Sequence, residues 1–152
     1  MMRNNLSKKL MLAVLGLTLV AASALALAQS AASPIGRWKT LDDETGKAMT
    51  VVEVYTAKNG HLAAKIVENI AAPATCEKCS GKDKGKPIVG IPVLWDLKAK
   101  ADGTWGDGQG FKPSAGMNFK AKSVKLLDGG KKLQVTGCKA VFICRDATWV
   151  RD

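Results

Sequence analysis

Short stretches of β-branched and apolar residues alternate with turn signals along most of this chain, and no other feature constrains the fold as strongly. Residues 50–56 are rich in Val and Thr, residues 59–60 are an Asn-Gly hairpin signal, and Leu62, Ala64 and Ile66 then occupy alternate positions. Similar units recur roughly every 10 to 15 residues, and no helical period runs longer than a few residues. The sequence therefore predicts an all-β, up-and-down antiparallel barrel of about eight strands, which either fills with side chains or holds one small ligand.

Two segments interrupt the simple alternation. The apolar residues of the central segment are expected to share one face of a single long strand: Val89, Ile91, Val93, Trp95 and Leu97. Pro92 within that run indicates an edge position or a bulge. The apolar residues of 119–121 and of 124–126 have opposite parity, so a bulge near Ser123 is needed to give one continuous apolar face.

The first 28 residues have the order of a secretory signal peptide. Residues 1–10 carry three cations and no acid, residues 10–20 are an apolar run, and small residues end in the Ala-Leu-Ala of 26–28. The alternative is an uncleaved membrane anchor, but the apolar run is shorter than the roughly 20 residues that span a bilayer. We predict cleavage after Ala28, a single domain over residues 29–152, a periplasmic or secreted location, and no stable membrane insertion after cleavage.

Four cysteines form two pairs that are close in the chain. An even number of cysteines in an exported protein favours disulfides, and we expect Cys76–Cys79 and Cys138–Cys144, although three pairings are formally possible. A thioredoxin-like redox site needs a helix at its first cysteine, whereas both flanks of Cys76 have the composition of loops. A zinc site is the other alternative, but the spacing of the second pair is unusual and the chain has one histidine. We expect structural disulfides, no metal and no cofactor.

Residues suited to hydrolytic or transfer chemistry are scarce. The one histidine, His61, follows the Asn-Gly turn at a hairpin tip, where water is hard to exclude. The clustered acids Asp42, Asp43 and Glu44 lie in a tight turn, which they are expected to cap. The chain has no glycine-rich phosphate loop before a helix and no H-E-x-x-H motif. We therefore predict no catalytic residue and a protein that is not an enzyme.

The chain carries a formal net charge of +10, and its lysines cluster in two places. One group crowds the loop around the first cysteine pair: Lys78, Lys82, Lys84 and Lys86. The second group lies along a predicted strand: Lys120, Lys122 and Lys125. Outside the cytosol we expect no nucleic acid as a partner, and anionic lipid head groups, cell-wall polymers or an acidic ligand are better candidates. The alternative is a solvated face that keeps the protein soluble.

The two ends of the domain favour closure into a barrel. Gly36-Arg37-Trp38 begins the first predicted strand, and Trp149-Val150-Arg151 ends the last. Antiparallel pairing of these strands would place the Arg151 guanidinium over the Trp38 indole in a cation–π contact. This arrangement resembles the Gly-x-Trp and late-arginine signature of lipocalins and related calycins.

A longer series of motifs resembles one family, the bacterial domain of unknown function 2147, whose members are exported and similar in fold to lipocalins. The matching blocks occur in order at residues 36–40, 42–47, 76–79, 81–87, 88–90, 95–97, 102–105 and 149–151. The resemblance spans Pro34 to Arg151 and implies a lipocalin-like barrel in an exported protein, with no established activity. Cys138 and Cys144 stand where an aromatic residue and a glycine are expected, and Lys112 stands where an aspartate is usual. The second disulfide is therefore expected in only a subset of the family.

The leading functional hypothesis is an exported barrel that binds a small hydrophobic or anionic amphiphilic molecule in its interior. The candidate cavity wall consists of Val52, Val54, Ile66, Val93, Trp95, Phe119 and Val135. The lysine-rich loop is expected at the cavity mouth, where its ammonium groups would bind an anionic head. The alternative is a ligand-free envelope scaffold or interaction protein that acts through the same loop. An apolar cavity of about 300 Å³ or more supports the first hypothesis, and a filled interior supports the second.

Overall fold

The alternating segments pair into a closed eight-stranded antiparallel barrel in the computed structural model, which describes residues 32–152. The predicted signal peptide lies outside the described residues. The strands are β1 (Gly36–Leu41), β2 (Ala48–Thr56), β3 (Leu62–Asn69), β4 (Pro92–Ala99), β5 (Trp105–Lys112), β6 (Met117–Leu127), β7 (Lys132–Ala140) and β8 (Ile143–Arg151). Each strand pairs with the next, and β8 pairs with β1, so the predicted architecture is confirmed. Within residues 32–152, no helix is long and apolar enough to cross a bilayer.

One inner face runs around the barrel, because residues that pair across neighbouring strands lie on the same side of a sheet. Val54 pairs with Ala64, Ala64 with Leu94, and Leu94 with Gly110. The side chains with no accessible surface are inward-facing residues of five different strands: Trp38, Val52, Ala64, Ala121 and Leu133. Side chains therefore fill the interior at the level of these residues, because a cavity large enough for a water molecule would leave part of their surface accessible.

The two ends of the barrel differ. At the closed end, where β1 begins and β8 ends, short hairpins connect the strands. At the opposite end, which we call the loop end, residues 70–91 connect β3 to β4 and contain a short 3₁₀ helix, Gly81–Asp83. The Cys76–Cys79 disulfide lies in this connection, and the Cys138–Cys144 disulfide joins β7 to β8 near their hairpin. Both predicted disulfides are present, and both lie at the loop end.

Trp38 and Arg151 meet at the closed end as the sequence predicts. The two residues pair across β1 and β8, and the guanidinium carbon of Arg151 lies 3.9 Å from the centre of the Trp38 ring. The indole N–H of Trp38 donates a hydrogen bond of 2.8 Å to the carbonyl of Pro34. Arg151 also donates to three backbone carbonyls at 2.8 to 3.2 Å, those of Ser33, Ile35 and Gly130. The guanidinium of Arg151 on β8 thus contacts both the segment that precedes β1 and the β6–β7 connection.

The β4 strand differs from the sequence prediction. It begins at Pro92, and Val89 lies outside it with 48% of its surface exposed. Asp96 has a φ of 58°. This left-handed residue interrupts the regular alternation of the strand, so the residues after it face the opposite side from the one that strict alternation predicts. Leu94 and Leu97 therefore face the interior, whereas Trp95 pairs with the exposed Gln109 on the outer face. The prediction of one apolar face shared by Val89, Ile91, Val93, Trp95 and Leu97 is wrong for this reason.

Two other irregularities agree with the sequence analysis. The pairing of β6 with β7 shifts register between Ala121 and Ser123, which is the bulge expected near Ser123. Pro92 is the first residue of β4, next to a second shift in the pairing of β3 with β4. A proline is tolerated at such a position because no regular ladder bond requires its missing N–H.

Candidate functional site

A cleft of about 250 Å³ lies on the outer wall of the barrel near the loop end. It is bounded by the 70–91 connection on one side and by strands β4, β5 and β6 on the other. The apolar lining residues are Cys79, Ile91, Pro92, Trp95 and Phe111, and the polar ones are Ser80, Asp83 and Asn118. We call this site the outer cleft.

The register of β4, β5 and β6 brings two aromatic rings into the outer cleft. Trp95 pairs with Gln109, and Phe111 lies two residues further along β5, on the same face. Such diagonal neighbours have Cβ atoms about 7 to 8 Å apart, which aromatic side chains can bridge. Asn118 pairs with Phe111 from β6 and adds an amide to the same face. Trp95 and Phe111 are both half-buried, so each presents part of its ring to the cleft.

The roof of the outer cleft is a closed and strongly hydrogen-bonded loop. The amide of Cys76 donates to the carbonyl of Lys86 at 2.8 Å, and the amide of Gly85 donates to the carbonyl of Cys76 at 3.0 Å. The roof also contacts the β5–β6 turn, where a Cβ atom on Gly116 would lie 2.2 Å from the carbonyl oxygen of Lys78. Backbone hydrogen bonds, the Cys76–Cys79 disulfide and this close approach therefore hold the roof in place over Trp95 and Phe111.

The loop that forms the roof of the outer cleft is rich in lysine. All four lysines of the lysine-rich loop are exposed: Lys78, Lys82, Lys84 and Lys86. Asp83 is part of the lining, and its carboxylate oxygen forms an ion pair of 3.4 Å with the Nζ atom of Lys86. The lysine offsets the negative charge of this carboxylate. Asp83 is thus the charged residue that lines the cleft, and it is flanked in the sequence by Lys82 and Lys84.

The candidate wall residues divide into two sets. Val52, Val54, Ile66 and Val135 lie on the inner face and are almost completely buried in the filled core. Phe119 also points inward, and its ring occupies the space that side chains at Gly110 and Gly137 would need. Val93 and Trp95 have the opposite parity and belong to the outer side of β4. The structure therefore brings only Trp95 of this set into the outer cleft.

Sequence reasoning missed Phe111, although a signal for it exists. The β5 strand has glycine at residues 106, 108 and 110, and glycine at every second position leaves the inner face open. The ring of Phe119 covers this stretch of backbone at Gly110. Alternation then places Gln109 and Phe111 on the outer face. The remaining lining residues come from the long connection, whose path the local sequence does not specify.

An ion pair spans the loop end of the barrel. Lys112 at the end of β5 contacts the carboxylate of Asp43 in the β1–β2 turn, and β1 and β5 lie opposite each other in the strand order. The turn is firmly built, since Asp42 accepts bonds from the Thr45 hydroxyl and amide, which confirms that Asp42 caps it. These bonds hold the pKa of Asp42 below its usual value. Lys112 thus helps to cover this end of the barrel.

Comparison with known proteins agrees with this architecture. The family model described as "Uncharacterized protein conserved in bacteria (DUF2147)" matches residues 36–151. The chain belongs to this family. Its structure is also similar to that of HP1028 from Helicobacter pylori, which is described as belonging to the lipocalin family. The TM-score is 0.66, with 18% identity over 79% of this chain and 83% of that one.

The family assignment extends over nearly all of the described barrel. The match includes both Trp38 and Arg151, and it therefore confirms the resemblance seen in the sequence. The DUF2147 domain here has a lipocalin-like fold, and at 18% identity the similarity to HP1028 shows the fold alone. No curated protein matches the sequence.

Proposed function

We propose that this DUF2147 protein is an exported small-molecule-binding protein that holds an apolar or amphiphilic ligand in its outer cleft. One observation carries the proposal, namely that two half-buried aromatic rings, Trp95 and Phe111, line a cavity of about 250 Å³. Binding sites are typically concave and combine apolar side chains with a few polar groups. The outer cleft places Trp95 and Phe111 beside polar lining residues in this way. Lipocalins hold one small ligand inside the barrel, whereas this barrel is filled and offers its cavity on the outer wall.

The chemistry of the lining and rim selects the ligand class. The lining offers apolar surface from Trp95, Phe111 and Ile91, hydrogen bonds from Ser80 and Asn118, and the carboxylate of Asp83, which is paired with Lys86. The loop that forms the roof also carries exposed lysines. This combination suits a short or medium-chain carboxylate, whose tail would lie against the rings and whose head would lie at the rim. The cavity is slightly smaller than the roughly 300 Å³ at which drug-sized ligands are accommodated, so we expect a preference for short chains.

Export is part of the same proposal. The N-terminal segment has the order of a signal peptide. Both cysteine pairs are disulfide-bonded, which suits an oxidising compartment such as the periplasm or the extracellular space. A protein that holds amphiphiles in the envelope would meet its ligand there.

A second candidate is an envelope interaction protein without a small ligand. The filled interior around Trp38, Val52 and Leu133 favours it, and its contact surface would be the lysine-rich loop. The two candidates differ in one measurable property, since only the first requires saturable binding of a small apolar molecule.

Tryptophan fluorescence during titration with octanoate tests the proposal. We expect a saturable change that is lost in Trp95→Phe and retained in Trp105→Phe, since Trp105 is partly buried but lies at the other end of β5. Each added CH₂ contributes about 0.8 kcal/mol, so affinity should rise about fourfold from one chain length to the next until the cleft is full. High salt should weaken binding of the carboxylate. Absence of saturation, or equal loss of signal in both variants, would favour the interaction protein.

A further inference from the structure

The hairpin between β7 and β8 projects three large apolar side chains into solvent. Val141 is 80% exposed, Phe142 is 95% exposed and Ile143 is 61% exposed, which makes this tip the most exposed apolar surface of the described residues. Isolated apolar residues on a surface are ordinary, but three adjacent ones at a projecting tip indicate an interaction site. We call residues 141–143 the apolar tip.

The apolar tip also violates the usual chemistry of its turn. The loop between β7 and β8 has two residues, and such hairpins favour Asn-Gly or similar pairs because the first position takes a positive φ. Here the two residues are Val141 and Phe142, and neither has a positive φ. Local rules are broken mainly at functional positions, where another feature compensates for the loss of stability.

The compensating feature is the second disulfide. Cys138 and Cys144 pair directly across β7 and β8, with Cα atoms 3.9 Å apart, just below the tip. A cross-strand bond at this position holds the hairpin closed without help from the turn residues. The disulfide and the apolar tip therefore form one unit.

Cations surround the base of the apolar tip. Lys139 and Arg145 flank the disulfide on the two strands and are exposed, and Lys120 on β6 pairs with Cys138. None of these three forms an ion pair with any residue of 32–152. The acid nearest in sequence, Asp146, instead accepts a hydrogen bond of 2.6 Å from the Thr136 hydroxyl. The positive charges at the base of the tip are thus available to an external anion.

We propose that the apolar tip inserts reversibly into the surface of an anionic lipid bilayer. Apolar side chains beside cations are the combination that binds peripheral proteins to such surfaces, because the apolar groups enter the interface while the cations contact the head groups. The tip is convex and has only three residues, whereas a stable protein–protein interface buries roughly 1,200–2,000 Å² in total. A deformable bilayer therefore suits this shape better than a folded partner does.

Co-sedimentation with lipid vesicles tests this proposal on the oxidised protein that begins after Ala28. We expect binding to phosphatidylcholine vesicles that also contain phosphatidylglycerol, weaker binding to phosphatidylcholine alone, and loss of binding at high salt. Phe142→Ser should lower the partition coefficient about tenfold or more, since burial of a Phe side chain contributes at least 1.5 kcal/mol. The fold should be unaffected because this side chain is 95% exposed.

Val89→Ser is the matched control, since Val89 is also exposed but lies in the 70–91 connection. It should leave vesicle binding unchanged, whereas Lys139→Gln with Arg145→Gln should weaken binding to the anionic vesicles selectively. Equal binding of Phe142→Ser and the wild type would overturn the proposal. So would a dimer in solution that Phe142→Ser abolishes without any vesicle binding, because the tip would then contact a second copy of the chain.

Discussion

Replacement of Arg151 tests how the barrel is closed. Its guanidinium stacks on Trp38 at 3.9 Å and donates hydrogen bonds to three backbone carbonyls at the closed end. Arg151→Ala removes the stacking contact and all of these donors together. Arg151→Lys keeps the positive charge, but a single ammonium group lacks the planar fork that reaches several carbonyls at once.

The expected loss of stability follows from these contacts. The cation–π contact contributes about 0.5 to 2 kcal/mol, and each hydrogen bond contributes a net of about 0.5 to 1.5 kcal/mol. Because Arg151 is exposed and water can replace its hydrogen bonds, the lower ends of these ranges apply. We expect Arg151→Ala to lower the free energy of unfolding by about 2 to 3 kcal/mol and Arg151→Lys by about half as much. Trp38→Ala should cost about 3 to 5 kcal/mol because the side chain is completely buried.

Urea unfolding followed by far-ultraviolet circular dichroism measures these differences. Lys125→Ala is the control, since Lys125 is exposed on β6 and should change stability by less than about 0.5 kcal/mol. If Arg151→Ala lowered the free energy of unfolding no more than this control does, the contacts of the guanidinium would not stabilise the closed end. If Arg151→Lys matched the wild type, charge alone would explain the effect and the fork geometry would be irrelevant.

Three further predictions concern the interior, the acid stability and the processing of the chain. Gly110→Ala would place a Cβ atom 2.2 Å from the Phe119 ring, so it should lower stability by about 1 to 3 kcal/mol in urea unfolding, and no change would mean that the ring does not fill this space. Hydrogen bonding to Arg37 lowers the pKa of Asp152 in the folded protein. The ionised carboxylate therefore stabilises the fold at pH values above the ordinary carboxyl pKa, and this stabilisation is lost as the pH falls through the lower pKa of the folded state. In Asp152→Asn, the Tm should therefore decline less steeply below about pH 4 than in the wild type. Plots of Tm against pH that run parallel for the two proteins would contradict this. The mass of the exported protein should correspond to cleavage after Ala28 with four hydrogens fewer than the reduced chain, whereas retention of residues 1–28 would indicate an anchor.

The closure of the barrel follows from the sequence because its determinants are local or terminal. Turn signals such as Asn59-Gly60 separate the strands, and Trp38 and Arg151 occupy the two terminal strands that must pair in an up-and-down barrel. The sequence shows only the stacking of these two residues, which corresponds to about 1 kcal/mol for Arg151. The three additional carbonyl contacts depend on the path of the connections and become visible only in the folded chain.

The faces of β4 were harder to predict because this strand is buried on both sides. Val93 on the outer side and Leu94 on the inner side are both buried, so the hydrophobic pattern offers no unique parity. Asp96 then changes the parity through a left-handed conformation that its neighbours do not signal. A short apolar run without alternation is ambiguous for this reason.

The outer cleft escaped prediction because a long connection forms one of its walls. Residues 70–91 fold back over the outer face of β4, and nothing local specifies on which side of the sheet they lie. The sequence analysis places the lysine-rich loop at the mouth of an internal cavity, whereas the loop contributes Cys79, Ser80 and Asp83 to the lining of the outer cleft. The sequence shows that the interior wall residues are apolar, but composition alone does not distinguish a filled core from a cavity.

The position of the ligand is tested most directly by NMR of the four tryptophan indole N–H groups during titration with octanoate. Trp95→Phe assigns the signal of Trp95 by its disappearance. We expect saturable displacement of the Trp95 signal, while the signals of the buried Trp38 and Trp149 stay in place. Displacement of the Trp38 or Trp149 signal, with Trp95 unchanged, would place the ligand inside the barrel and contradict a binding site on its outer wall.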